Sequence, residues 1–183
     1  MTTRFKAWIT LLLALGVLLL LVTDWVYDKL QVLKSIDAIE AAITEDFPDV
    51  THLAPADFAA LREAEPGLLL VDCRKPEEYA VSRIPGAVNL RSAEEVQAYL
   101  EKETTQPSRI VSYCSVGWRS AKLTRALHEA GYAGAANLRG SIFRWANEDR
   151  PLEKPDGSPT QTVHPLHDVW SGLLDEGKAW TEP

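Results

Sequence analysis

The feature that most constrains this 183-residue chain is a short apolar run at 68–73 (Leu-Leu-Leu-Val-Asp-Cys), with a second strand-like segment at 109–113 (Arg-Ile-Val-Ser-Tyr). The first has no polar alternation until Asp72, the pattern of a strand buried on both faces. Such strands need helices above and below them, and the flanking sequence supplies helical segments. Residues 57–65 predict a helix, broken at Pro66-Gly67. Residues 76–81 predict a helical turn, and 87–90 a strand after the Pro85-Gly86 turn. Ser92 with Glu95 three residues on forms a capping-box pattern, opening a helix that runs to about Lys102. Residues 119–130 predict a helix stopped by Gly131, and 135–138 a last strand. This alternation predicts an α/β fold with a central, mainly parallel sheet and helices on both faces. Active sites in such sheets lie at the carboxyl ends of the strands, and Cys114 stands at one of these ends.

The N-terminus predicts something different. Residues 7–22 are apolar apart from Thr10 and Gly16, with Arg4 and Lys6 before them. Trp8 at one end and Trp25 and Tyr27 at the other stand where interfacial aromatics belong. No small-x-small cleavage pattern follows Val22. We therefore expect a transmembrane anchor over 1–27 rather than a cleaved signal peptide, which would yield a secreted protein. The basic N-terminus predicts a single-pass topology with a cytoplasmic N-terminus and an extracytoplasmic domain, periplasmic in a bacterium. Residues 28–47 predict a membrane-proximal helix or linker, with Val32, Ile36, Ile39 and Ile43 on one stripe. That stripe suits either packing on the chain's own domain or a weak homodimer. Residues 48–150 form the expected catalytic domain. Residues 151–183 form a proline-marked extension in which Trp170, Leu173 and Leu174 share one face of a short helix, 168–178, that packs back on the domain.

The formal net charge of -7 argues against a nucleic-acid partner, because binding a phosphate backbone needs clustered cations. Cys73 and Cys114 are the only cysteines, too few for a disulfide framework or a four-ligand zinc site. His164 and His167 flank Pro165 with no second cluster nearby, so no metal is expected.

Residues 113–120 read Tyr-Cys-Ser-Val-Gly-Trp-Arg-Ser. A strand delivers Cys114, Gly117 turns the chain, and a helix begins near Arg119. Inward-pointing amides and a helix N-terminus favour an anion, and Arg119 adds a full positive charge. All three favour a thiolate over a thiol and lower the pKa of Cys114. The thiolate is the species that attacks sulfur.

These residues resemble the rhodanese-like domains. Cys114-Ser115-Val116-Gly117-Trp118-Arg119-Ser120 resembles the family's Cys-x-x-Gly-x-Arg-Ser loop. Asp72-Cys73-Arg74-Lys75-Pro76-Glu77-Glu78-Tyr79 resembles its Asp-x-Arg-x-x-x-Glu-Tyr signature. Ile84-Pro85-Gly86-Ala87-Val88-Asn89-Leu90 and Gly140-Ser141-Ile142 with Trp145 resemble the later motifs, the last of them Gly-Gly-x-x-x-Trp. The resemblance implies a sulfurtransferase that needs no cofactor. Cys114 would take a sulfane sulfur from a small anionic donor such as thiosulfate and pass it, as a persulfide, to a thiol or cyanide. Ser115, Val116, Gly117, Trp118, Arg119 and Ser120 would bind the donor, and Asp72 and Arg74 would support the loop. Ser115 stands where thiosulfate-preferring members carry a basic residue, and Ser82-Arg83 replaces a Gly-His pair. Trp118 could shield the persulfide or dock a partner. Cys73 could act as a resolving thiol or fill an apolar slot.

Two other readings share the fold. One is a non-catalytic scaffold module. The other is a phosphatase or arsenate reductase, for which the four residues between Cys114 and Arg119 make the loop short by one.

Overall fold

The structure is a computed structural model, and it describes residues 8, 11–13, 15–23, 26 and 35–182. From residue 35 onward the chain runs α1 (Ile36–Asp46), β1 (Thr51–Leu53), α2 (Pro55–Ala64), β2 (Leu69–Asp72), α3 (Pro76–Val81), β3 (Val88–Asn89) and α4 (Ala93–Leu100). It continues through β4 (Ile110–Tyr113), α5 (Trp118–Glu129), β5 (Ala136–Leu138), α6 (Ser141–Asn147), β6 (Leu152–Glu153), β7 (Pro159–Thr160) and α7 (Asp168–Ser171). Five strands form one sheet in the order β1-β5-β4-β2-β3, and every pairing in it is parallel.

Apolar residues cover both faces of the sheet because successive side chains of a strand point to opposite sides. Leu70 and Val111 face a core shared with Ile39, Phe58, Ile142 and Phe143. Leu69, Val71 and Ile110 face a second cluster with Val96, Leu123 and Leu127 of α4 and α5. The mainly apolar composition of β2 and β4 suits this two-sided burial. The α/β architecture read from the sequence therefore stands.

The expected membrane-spanning helix does not. Among the described residues no helix is long and apolar enough to cross a membrane. The anchored, single-pass topology is withdrawn with it, as is the extracytoplasmic placement of the domain. The rest of residues 1–27 lies outside the described residues.

The dimerising stripe is also corrected. Ile36, Ile39 and Ile43 are buried in the chain's own core, so this face is already occupied. Val32 lies outside the described residues. Ser35 caps α1, its hydroxyl accepting the Ala38 N–H at 3.1 Å. Arg144 of α6 clamps the polar side of α1 through Glu40, at 2.6 Å, and Asp37.

Three parts of the fold were not read as regular structure. The edge strand β1 is three residues long, too short to carry a pattern, and forms by pairing with β5. Helix α6 begins at Gly140, φ 64°, without a side-chain cap to signal it. In the tail, β6 and β7 make an antiparallel hairpin, and Leu152, Val163, Leu173 and Leu174 join the main core. The helix expected over 168–178 is only the single turn α7. Lys178 reaches back to the Ala146 carbonyl at 2.6 Å and to Asp149 at 2.8 Å.

The burial of α1 generates a test. Ile39 is fully buried, and Ile39→Ala should cost about 2–5 kcal/mol of stability, read as a lowered urea midpoint. A loss under ~0.5 kcal/mol, the range of surface substitutions, would show that α1 does not pack as described.

Candidate active site

Cys73 follows β2 and Cys114 follows β4. These strands pair with Asp72 opposite Tyr113, and the Cys73 N–H donates to the Tyr113 carbonyl at 2.9 Å. The two cysteines therefore leave neighbouring strands side by side, in the same apolar cluster.

The loop after Cys114 curls around its sulfur. Gly117, at φ 119°, turns the chain and aims its N–H at the Cys114 sulfur, N to S 3.2 Å. A Cβ at this glycine would stand 3.1 Å from Ile43 of α1, so both backbone conformation and packing require glycine. The loop carbonyls point the other way. The Cys114 and Ser115 carbonyls each accept an N–H from the start of α6, Ile142 and Phe143, at 3.1 Å.

Ser141 completes this support. Its hydroxyl accepts the Cys114 N–H at 3.1 Å and donates to the Leu138 carbonyl at 3.2 Å. Its φ is 51°, the left-handed region that favours glycine. It stands where the family motif has its second glycine, so here a hydroxyl replaces conformational ease with a bond to the cysteine backbone.

Electrostatics separate the two thiols. Burial alone would raise the pKa of Cys114. The Cys73 thiol, the Arg119 charge and the Ser120 N–H and hydroxyl outweigh it, holding Cys114 well below the ordinary thiol range. Burial and the neighbouring Cys114 push Cys73 well above that range. The surroundings thus favour ionisation of Cys114 over Cys73. Cys114 is 1% exposed.

Glu78 was not singled out from the sequence beyond its place in the Glu-Tyr motif, yet it organises the site. It is 1% exposed and accepts both guanidinium arms of Arg119, at 2.8 and 2.9 Å. It also accepts the Ser115 hydroxyl at 3.0 Å and the Lys75 N–H at 3.0 Å. Arg119 donates to the Ser115 hydroxyl oxygen as well, at 2.9 Å. The expected anion-binding cation is thus already engaged by a carboxylate. Val116 is buried in the main core, and Trp118 packs against that core. Ser120 is buried, its hydroxyl donating to the Gly117 carbonyl at 3.1 Å.

Asp72 and Arg74 form a fully buried ion pair at 2.6 Å. Arg74 also donates to the Ser82 carbonyl at 2.6 Å, and its backbone N–H returns to Asp72 at 2.9 Å. These bonds hold the turn after β2 in place. The Tyr113 hydroxyl accepts the Ile84 N–H at 3.1 Å. Arg83 is partly buried. It pairs with Glu153 at 2.8 Å and lies over the Tyr79 ring, tying the tail to the domain. His164 stacks on Trp180, and its Nδ1 accepts the Leu166 N–H.

Comparison with known proteins agrees with the geometry. The family described as "Rhodanese-like domain" matches residues 54–148. A protein of Allochromatium vinosum named "Sulfurtransferase" is 36% identical over 90 residues, covering 49% of this chain and 82% of that one. Bacillus subtilis YtwF is 30% identical over 105 residues, covering 56% and 97%. The chain spans a third or less of several longer relatives. Among solved structures, a thiosulfate sulfurtransferase of Pseudomonas aeruginosa shares the fold, with a TM-score of 0.54 and 24% identity, over 75% of this chain and 26% of that one.

Two outcomes follow. Burial opposes ionisation of Glu78, but hydrogen bonds from Arg119, Lys75 and Ser115 hold its carboxyl at about 2, against an ordinary 4.5. The folded state binds this proton more weakly than the unfolded chain. The resulting stability, on the order of 3 kcal/mol, is fully present above pH ~4.5 and is lost as the pH falls through about 2. Glu78→Gln should flatten this acid limb in denaturant titrations; an unchanged limb would refute the assignment. At Ser141, Ala keeps the strained φ and loses the hydroxyl, whereas Gly loses the hydroxyl and relieves the strain. Ser141→Ala should therefore be the less stable variant by about 1 kcal/mol, measured by the same unfolding titrations.

Proposed function

This chain belongs to the rhodanese-like domain family, and from that membership we propose that it is a sulfurtransferase working through a persulfide on Cys114. The single observation that carries the reading is the thiolate-stabilising cradle around one buried cysteine. The Gly117 N–H meets its sulfur, Arg119 and Ser120 favour its thiolate, and burial beside it pushes the Cys73 pKa up. Similarity to proteins named as sulfurtransferases supports the same class of activity.

In the first half-reaction the Cys114 thiolate attacks the sulfane sulfur of a donor such as thiosulfate. A new S–S bond forms on Cys114, and the donor's bond to that sulfur breaks. The bonding pair departs with the leaving group, sulfite in the case of thiosulfate. The loop amide of Gly117 and the charge of Arg119 stabilise the sulfur anion before attack and when it is regenerated. In the second half-reaction an acceptor thiolate or cyanide attacks the outer sulfur and releases the Cys114 thiolate.

The Glu78–Arg119 pair gives this cycle a particular character. With its guanidinium held by a carboxylate, Arg119 sets the loop shape and the local potential without presenting an unpaired cation. The loop itself supplies no second basic residue, since position 115 is serine. The donor-binding roles of Ser115, Val116, Trp118 and Ser120 reduce in this reading to shaping the backbone cradle.

Mass spectrometry of the intact protein after exposure to thiosulfate and to polysulfide tests the proposal. One added sulfur atom on Cys114 is expected, lost on addition of cyanide and absent in Cys114→Ser. Absence of any added sulfur with either donor would overturn it.

A further inference from the structure

Cys73 has no chemical step in the cycle as described, beyond its effect on the neighbouring sulfur. It is 6% exposed and lies in the same apolar cluster as Cys114. Its place is set by strand register. β2 and β4 run parallel with Asp72 opposite Tyr113, so the next residues along, Cys73 and Cys114, face each other as well. The Cys73 N–H donates to the Tyr113 carbonyl at 2.9 Å, which carries the pairing one step past the strand ends. Neighbouring strands stand ~4.8 Å apart, and facing residues of a parallel pair point to the same side of the sheet. That separation falls within the ~4.4–6.8 Å that a disulfide spans between Cα atoms. Both thiols are free, and a hydrogen bond from the Cys73 thiol favours the Cys114 thiolate.

Position also decides which sulfur a thiol reaches. Cys114 is 1% exposed, so a persulfide on it offers its outer sulfur to an acceptor from solvent and keeps its inner sulfur buried. Cys73 already lies beside that inner sulfur. Burial and the neighbouring Cys114 hold Cys73 as a weak nucleophile while Cys114 is the thiolate. On the persulfide the negative charge moves to the outer sulfur, farther from Cys73, and the second of these two restraints eases.

We propose that Cys73 is a resolving cysteine, which attacks the inner sulfur of the Cys114 persulfide, expels hydrosulfide and leaves a Cys73–Cys114 disulfide. The assignment rests on the persulfide reading above. A bond forms between the Cys73 and Cys114 sulfurs, and the bond between Cys114 and the outer sulfur breaks. The bonding pair leaves with the outer sulfur, which takes up the Cys73 proton and departs as hydrosulfide. The Cys73 sulfur is oxidised and the departing sulfur is reduced, so this step needs no outside oxidant. An external dithiol then reduces the disulfide by thiol–disulfide exchange and returns both cysteines to thiols. The chain thereby has a second activity, release of sulfide from a sulfane donor at the expense of a dithiol. It operates when no acceptor takes the outer sulfur first.

The experiment follows a single turnover of the full chain without oxygen. Wild type and Cys73→Ala are exposed briefly to polysulfide and freed of excess donor. Intact-mass spectrometry and a bimane trap for sulfide then follow them over time. In the wild type the added sulfur should disappear as sulfide appears in equal amount. The protein should end two hydrogens lighter than its reduced form, with a 73–114 cross-linked peptide. Dithiothreitol should restore the reduced mass and the capacity to take up sulfur. In Cys73→Ala the added sulfur should persist and sulfide release should slow at least ~10-fold, because an intramolecular nucleophile acts at high effective concentration. Cys73→Ser, closer in size and hydrogen bonding, should retain its sulfur in the same way. The wild type alone can overturn the proposal: added sulfur that stays on Cys114, with no 73–114 linkage, would do so and would leave the persulfide reading standing. A 73–114 disulfide made by diamide but never by the sulfur-loaded protein would overturn it too, since the thiols would then meet without discharging the persulfide. Neither added sulfur nor released sulfide in the wild type would sink the persulfide reading itself, and this assignment with it.

Discussion

A carboxylate removed from water has to be met by a cation and hydrogen-bond donors, and Glu78 meets Arg119, Ser115 and the Lys75 N–H. This one buried cluster joins the turn after β2 to the loop after β4. Both ends of the cysteine loop then have fixed partners. Breaking such a cluster by removing one member leaves an uncompensated buried charge, which costs about 3–5 kcal/mol. The loop geometry around Cys114 therefore depends on a residue that touches neither the sulfur nor, in the proposed cycle, the substrate.

Around that cluster the site is held from three directions. The paired strands β2 and β4 set Cys73 beside Cys114. The start of α6 takes the loop carbonyls, leaving the loop amides to face the sulfur. Helix α1 packs Ile43 against Gly117, so a segment first read as a membrane-proximal linker is part of the wall behind the active loop. The consequence for function is rigidity. A cradle preorganised for a sulfur anion needs little rearrangement when that anion forms.

The charge distribution gives one arginine two tasks. Arg119 is paired with Glu78, shapes the loop and sets the potential at Cys114. The same surroundings separate two thiols that the strands set side by side, favouring ionisation of Cys114 over Cys73.

Much of this protein was legible in its sequence. The apolar run at the start of β2, without alternation and of strand length, has the pattern of a strand covered on both faces, and its alternation with helical segments pointed to the parallel sheet. The Cys114 loop was legible because Gly117 and Arg119 stand at short, fixed spacing from the cysteine. Tertiary structure alone decided the rest, because it depends on contacts between residues far apart in the chain. Glu78 and Arg119 are 41 residues apart, and no local pattern says that they share one buried pair. The stripe on α1 specified an apolar face, and only the fold showed that its own core covers that face. The N-terminal apolar run predicted a membrane span, but among the described residues no helix is long enough to make one. Sequence alone singled out Cys114 as the candidate sulfur, since Gly117 and Arg119 stand close to it in the chain. What surrounds that sulfur was decided by folding, which brings distant charges to within hydrogen-bonding distance.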